Sequence, residues 1–492
     1  MRQGDGPAPR IGEARPDVTR YVWRMQRLRW RDIARPEAWC LLALSALTHY
    51  WHLFSPRVVV FDEVYYEHFA GDYLTGRFYF DVHPPLGNLL YAGFARLLHI
   101  SGEQLLRADP TPVLRLLPAT FGTLSVALIY VLVRELGAGR RVALLGGLAA
   151  LLDNGLLVES RFILLDGFLI FFGLLAVVVF LAARQRDGRS RWLLLGACAF
   201  LAGCALSVKW TGASALGVIL AAWFADAVVR RDSMRRVVRE GLVLVTVPIA
   251  VYIGSFAAHF ALLDRTGPDE IFMSSAFQQS LIGSSDYNPV VHVSLFAKLR
   301  DVHRAMLIGN ESLEHATHGG ASPWYTWLIM KHPMGWWEPL PEPPGRRTMI
   351  ILVGNPVVWW GALAGVLIGL AMFVAERERF RGREFAFCLL LGAALLNILP
   401  FAAIRRIMFL YHYLFGLTFM ISLAAFSTGV LAGWIGDDDR LWSFPSRRSA
   451  MLYGAIVALA VVSFVYFLPF TYGWSMSTAS WDAHFWVLHP HL

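Results

Sequence analysis

Two sets of residues in this chain could do chemistry at a membrane surface. The stretch VVVFDEVYYEHFAGDYLTGRFYFDVHPPLGNLL, Val58 to Leu90, sets Asp62 beside Glu63 and places Asp81 two residues before His83. Carboxylates next to an apolar span are costly unless they face water or a partner, and a carboxylate or imidazole held there is suited to taking a proton. The second set is cationic: Arg115 in VLRLLPATFG, Arg161 in VESRFILLD, Lys209 in LSVKWTG, and Arg405 with Arg406 in AIRRIMFLYHYLF. Cations in such apolar surroundings call for an anion, either a lipid phosphate or a carboxylate such as Glu159 or Asp166. Taken singly, each fits an ion pair between helices or an idle interface charge. Taken together, with acids on the same side, they fit a phosphate site better.

The elements that must position these groups follow from composition. The chain has 492 residues, of which 56% are hydrophobic and only 16% charged, well below the charged share of a soluble domain. The apolar residues come in runs long enough to cross a bilayer, at about 37–54, 112–135, 142–159, 163–183, 192–208, 211–229, 241–262, 349–374, 384–403, 408–433 and 450–470. About eleven transmembrane helices are therefore expected in an all-α polytopic membrane protein. The net charge of +8 then reports orientation and gives no reason to expect nucleic acid as a partner. Cys40, Cys198, Cys204 and Cys388 fall in or beside apolar runs without ligand spacing, and read as small core residues with no disulfide framework. No metal site is expected.

The connectors alternate in character. GAGRR (137–141), RQRDGRSR (184–191), RRDSMRRVVRE (230–240), ERERFRGRE (376–384) and GDDDRLWSFPSRR (436–448) are short and mostly basic, as inside loops should be. The others include two long ones, 55–111 and 263–348, rich in aromatics, His and Pro. This reading makes 1–36 a basic cytoplasmic tail ahead of a retained first span, with no cleavable signal, and 37–492 one transmembrane domain in the plasma membrane. Its N-terminus is inside, and its outer loops are 55–111 (catalytic) and 263–348 (aromatic and His-rich). Pro84 and Pro85 break the backbone before an apolar run, Leu86 to Ile100, expected to lie in the interface. The tryptophans of 263–348, Trp324, Trp327, Trp336 and Trp337 among them, read first as interface anchors.

The segment FDEVYYEHFAGDYLTGRFYFDVHPPLGNLL resembles the first luminal loop of the protein O-mannosyltransferase family. The likeness continues, in the family's order, through LRLLPATFG, SRFILLDGFLIFF, SVKWTG, SPWYTWLIMKHP, LVGNPVVWW and FLYHYLF. One block alone is weak; the ordered set covers most of the chain. The resemblance implies a glycosyltransferase of the GT-C architecture that takes mannose from a polyprenyl-phosphate donor and places it on Ser or Thr hydroxyls of exported proteins. Two departures stand out. The loop 263–348 is too short for the β-trefoil domain of eukaryotic members, as in a bacterial-type member, and Asn88 stands where many relatives have Lys.

On this resemblance Asp62 is the general base of an inverting transfer, and Glu63 orients the acceptor or the loop. Asp81, His83, Arg115, Arg161, Lys209, Arg405 and His412 bind substrate or the lipid phosphate, or hold the fold of the site. The phosphate is already a good leaving group, so charge stabilisation is needed rather than a strong acid. No cofactor is required. The partners implied are the lipid-linked donor, a secreted or membrane acceptor protein delivered by the secretion translocon, and membrane lipids. Rival readings are a lipid flippase or transporter, which would be expected to show internal repeats, and a GT-C enzyme moving another lipid-linked sugar onto a lipid or polysaccharide. A third is a non-catalytic partner subunit, against which the intact Asp62–Glu63 pair speaks.

Overall fold

The computed structural model describes residues 35–107, 110–342, 344–435 and 440–484; the expected tail 1–36 lies, except for its last two residues, outside the described residues. The chain begins with α1 (Pro36–Tyr50) and then forms three shorter helices in the first long loop: α2 (Glu63–Thr75), α3 (Leu86–Leu97) and α4 (Gly102–Leu106). A run of long helices follows: α5 (Leu116–Glu135), α6 (Arg140–Leu151) with α7 (Asn154–Arg161), α8 (Asp166–Arg184), α9 (Gly188–Val208), α10 (Ala213–Arg230) and α11 (Met234–Leu262). The second long loop holds α12 (Ser275–Gln279), α13 (Leu295–Ser312) and α14 (Trp324–Trp327). It also contains β1 (Met334–Trp337), paired antiparallel with β3 (Ile350–Leu352), and β2 (Arg346–Arg347), paired with β4 (Met476–Ser477). The chain closes with α15 (Pro356–Ala375), α16 (Glu384–Leu396), α17 (Leu414–Leu431), α18 (Arg447–Tyr472) and α19 (Thr478–His484).

Each of the eleven apolar runs contains helix. Among the described residues nine helices are long and apolar enough to cross a membrane, and α6 with α7, bent by 58°, adds a tenth where the pair is counted as one span. The eleventh, α1, has 15 helical residues, short of the roughly 20 that a straight crossing takes. The bend replaces the straight helix expected at 142–159. Asp153 causes it: its side chain caps α7 by accepting from Leu156 N–H, and it also accepts from Asn355 N–H at 2.9 Å and the Trp359 indole at 2.7 Å. Asn355 in turn donates to the carbonyls of Leu152 and Ala460. A buried break in a helix survives in lipid only where its freed backbone groups find partners of this kind.

Lipid exposure sorts the helices. Residues 413–427, covering most of α17, are buried without interruption, as expected of a helix apolar on every side and enclosed by others. By contrast α11 and α18 turn Leu242, Val245, Ile249, Val462 and Val465 outward. Gly203 of α9 lets it approach α11: a Cβ there would sit 2.9 Å from the backbone of Pro248. Cys198 and Cys204 are buried, as expected; Cys40 and Cys388 are exposed on the outer sides of their helices, so the core reading fails for those two.

The short basic connectors gather at one end of the bundle, tied by ion pairs between Glu37 and Arg140, Arg184 and Asp226, and Arg191 and Glu240. The two long loops meet at the other end, where Phe78 N–H donates to Arg265 carbonyl, Phe80 N–H to Asp269, and the Phe61 ring stacks on Trp336 at 5.1 Å.

Candidate active site

The site is built where α1 ends. A helix C-terminus leaves carbonyls without partners, and here a buried arginine takes them. Arg161, the last residue of α7, donates through Nη1 to the carbonyls of Thr48, His49 and Trp51 and through Nη2 to that of His52. Its guanidinium lies over the Tyr472 ring at 4.5 Å. Arg115, just before α5, takes the next stretch. Its Nη1 donates to the Leu53 and Pro56 carbonyls and its Nη2 to that of Val58. Nε and Nη2 each also reach Glu63, both at 2.7 Å. All five N–H donors of that guanidinium are thereby engaged. Glu63 further accepts from Val60 N–H at 2.9 Å and Ile163 N–H at 3.0 Å, and the side chains of Arg115 and Glu63 are each 1% exposed.

This geometry bears on two pairs of alternatives that the sequence leaves open. Both arginines are buried against loop backbone, as the fold-holding alternative requires, and every donor of Arg115 is engaged. Glu63, expected with Asp62 as a group that orients the acceptor or the loop, is buried and tied to Arg115 and the loop backbone.

Asp62 is left free by the same arrangement. It precedes α2 as its N-cap residue, yet its side chain makes no capping hydrogen bond. Phe61 before it has φ +52°, a left-handed conformation that a bulky residue adopts only when its surroundings enforce it. The enforcement is visible in the Phe61 ring, stacked on Trp336 and edge-on to Tyr411. Burial raises the Asp62 pKa above its ordinary value, with the charge of Asp166 acting the same way, while Lys209 and His318 pull it back.

Next to it opens a cavity of about 440 Å³, with His83, Asp166, Lys209, Arg405, Arg406 and His412 among its lining residues. Asp62 is not itself in the lining; its charge environment ties it there through Lys209 and Asp166. Lys209 follows α9 directly, pairs with Asp166 at the start of α8, and lies 5.4 Å from the centre of the Tyr411 ring. Arg406 donates to Asn310 Oδ1 at 2.6 Å and lies 3.5 Å from His412 Nε2. Arg405 is exposed and has neither hydrogen bond nor ion pair among the described residues, which leaves it a free cation on the cavity wall.

His83 also faces this cavity. Its burial, with the charges of Lys209, Arg406 and His412, holds the imidazole well below its ordinary pKa. Asp81 stands behind it, outside the main cavity, accepting from His83 N–H at 3.0 Å and from Asn88 Nδ2 at 2.8 Å. Burial pushes Asp81 up to about 6 despite those two hydrogen bonds. Asn88, the departure noted in the sequence, therefore serves to fix Asp81. His412 stacks between Tyr411, at 4.5 Å, and Trp327, at 5.9 Å. Among the described residues no group of three or more His, Cys, Asp or Glu side chains is placed to hold a metal ion.

Sequence reasoning placed Arg406 in the cationic set only as a neighbour of Arg405, and gave Asn310, Tyr411 and His318 no role at this site. Arg406 was visible beside Arg405; the other three carry no local signal and come together only through the packing of α13 and the second long loop against the segment before α17.

Two family descriptions match the chain in succession. "Dolichyl-phosphate-mannose-protein mannosyltransferase" matches residues 39–264, and "C-terminal four TMM region of protein-O-mannosyltransferase" matches residues 295–489. The chain belongs to the protein O-mannosyltransferase family. The Protein O-mannosyltransferase 1 of Drosophila pseudoobscura pseudoobscura is 36% identical over 264 residues, half of this chain and 29% of that protein. The match thus spans under a third of that curated relative. The fold is that of the protein O-mannosyltransferase Pmt1-Pmt2 complex of S. cerevisiae, solved bound to the sugar donor. The superposition has a TM-score of 0.80 and 18% identity, and covers 92% of each chain. The archaeal oligosaccharyltransferase AglB of Archaeoglobus fulgidus superposes more loosely, at TM-score 0.51 and 17% identity over 91% of this chain and 57% of its own. This places the protein O-mannosyltransferase fold of the chain within the GT-C architecture.

Proposed function

We propose that this family member is a glycosyltransferase that moves mannose from polyprenyl-phosphate mannose to Ser or Thr hydroxyls of exported proteins. The reading is carried by one observation: an unpartnered cation, Arg405, faces the same cavity as His83, Lys209 and Arg406, beside a loop held so that Asp62 is left free. In this reading the donor phosphate sits against Arg405 and Arg406, with Lys209 at the edge. The acceptor hydroxyl approaches Asp62 from the water side. As the C1–O bond to phosphate breaks, the acceptor oxygen attacks C1 from the opposite face and its proton passes to Asp62. The phosphate leaves as an anion matched by the cations. A single base is enough for such an inverting step. The raised pKa of Asp62 makes it a stronger base than a solvated carboxylate.

The active site is assigned to the outer face, with the N-terminus in the cytoplasm. The short basic connectors gathered at the opposite end of the bundle support this orientation. No cofactor enters the scheme. The acceptor is an unfolded or translocating segment, for which the secretion translocon is the natural source. Membranes containing the protein, given labelled polyprenyl-phosphate mannose and a Ser/Thr-rich peptide, are expected to yield a mannosyl peptide whose anomeric configuration is opposite to the donor's. Product with the donor's own anomeric configuration would overturn the inverting mechanism, and label found only in lipid would overturn the protein acceptor.

A further inference from the structure

A second polar cavity, of about 350 Å³, lies at the connector end of the bundle, between the starts of α9 and α11. Arg191, Trp192, Arg235, Arg236, Arg239 and Glu240 form most of its wall. The acid is already matched: Glu240 accepts from Arg191 Nε and Nη2 at 2.7 Å each, from Arg236 Nε at 3.0 Å, and from the Trp223 indole at 2.9 Å. Arg235 and Arg239 have no carboxylate partner among the described residues. Arg239 is held over the face of Trp192, 5.2 Å from the ring centre. The wall thus carries four guanidiniums against two acids, Asp187 and Glu240, and Asp187 is exposed to water.

The geometry points to a binding site here for a phosphate-bearing anion, with the headgroup of an anionic phospholipid in the adjoining leaflet as its ligand. Guanidiniums present donors in a planar fork that fits phosphate oxygens. A tryptophan on a span end sits at headgroup depth, and basic pockets between spans are built to take such headgroups. The buried Arg191–Glu240 pair, joined by the half-buried Arg236, fixes the cavity walls, and Arg235 and Arg239 supply the uncommitted charge. The site is about 30 Å, the length of α9, from Lys209 in the cavity described above. It is independent of the mannosyl-transfer reading.

The test uses the purified full-length protein in nanodiscs or detergent and counts retained lipid by native mass spectrometry, with no activity readout. Phosphatidylglycerol is expected to be retained over phosphatidylcholine. The double variant Arg235→Gln/Arg239→Gln, altered only at exposed side chains, should weaken phosphatidylglycerol about twenty-five-fold, from about fivefold per surface arginine, with unchanged melting temperature. Displacement of the lipid by millimolar inorganic phosphate would keep the site and assign it to a free phosphate. Equal retention of both lipids, or phosphatidylglycerol binding untouched by the double variant, would overturn it.

Discussion

Replacing Arg115 by methionine separates two accounts of the same residue. The structure places its guanidinium on Glu63 and on three loop carbonyls, with both partners of the ion pair 1% exposed. Methionine keeps much of the volume and removes every donor. Breaking one side of a buried pair costs about 3–5 kcal/mol, because the remaining carboxylate is stranded. The orphaned carbonyls at 53, 56 and 58 regain water only if the loop opens, and the loop positions Asp62. The apparent melting temperature in detergent, followed by tryptophan fluorescence, should fall on the order of 5 °C, and transfer should fall with it. The double variant Arg115→Met/Glu63→Leu removes the stranded charge and should recover part of that loss. An Arg115→Met protein that melts like wild type, while its KM for the lipid donor rises many-fold, would refute the reasoning and return Arg115 to the phosphate.

Other consequences follow from the same geometry. Arg405→Gln removes a free cation that supports nothing else, so melting should be unchanged while kcat falls by about 10²-fold, the usual cost of one donor to a developing anion; an unchanged kcat would remove Arg405 from the leaving-group site. Asp81→Asn leaves His83 without a charged anchor, and is expected to lower kcat/KM about tenfold and to flatten any pH dependence near 6, where burial places the Asp81 pKa; a profile identical to wild type would contradict its positioning role. Burial lifts Asp72 to about 7 in the folded protein. The native state therefore binds more protons than the unfolded chain between about pH 4 and 7, and stability falls as pH rises through that window. Asp72→Asn should accordingly be more stable than wild type at pH 8, by on the order of 2 kcal/mol, with the gain shrinking as pH is lowered toward 4; a loss of melting temperature at pH 8 would contradict this.

The sequence was most informative where physics acts over short distances. Hydropathy located the helices because a span needs an unbroken apolar run, and the alternation of basic connectors matched the way they gather at one end of the bundle. The break at Asp153 escaped notice because LLDNGLL is apolar on average, and its polar pair finds its tertiary partners far along the chain, Asp153 in Asn355 and Trp359 and Asn154 in Phe464 and Thr471. Asp62 and Glu63 look equivalent as neighbours. At the start of a helix, however, successive side chains diverge by about 100°, which turns Glu63 inward to Arg115 and leaves Asp62 outside. The buried arginines stayed ambiguous for a related reason. Arg115 and Arg161 read as cations seeking a phosphate or a carboxylate, and most of their partners are backbone carbonyls, which carry no signature in the sequence.

The central claim is that Asp62 takes the acceptor proton, and the direct measurement is mannose transfer by Asp62→Asn compared with wild type, at equal protein level and equal melting temperature. The account predicts that donor binding by Asp62→Asn stays within about twofold of wild type while the rate of transfer falls by about 10²–10⁴-fold, the range for loss of a positioned base. An Asp62→Asn protein that transfers mannose at the wild-type rate would contradict it.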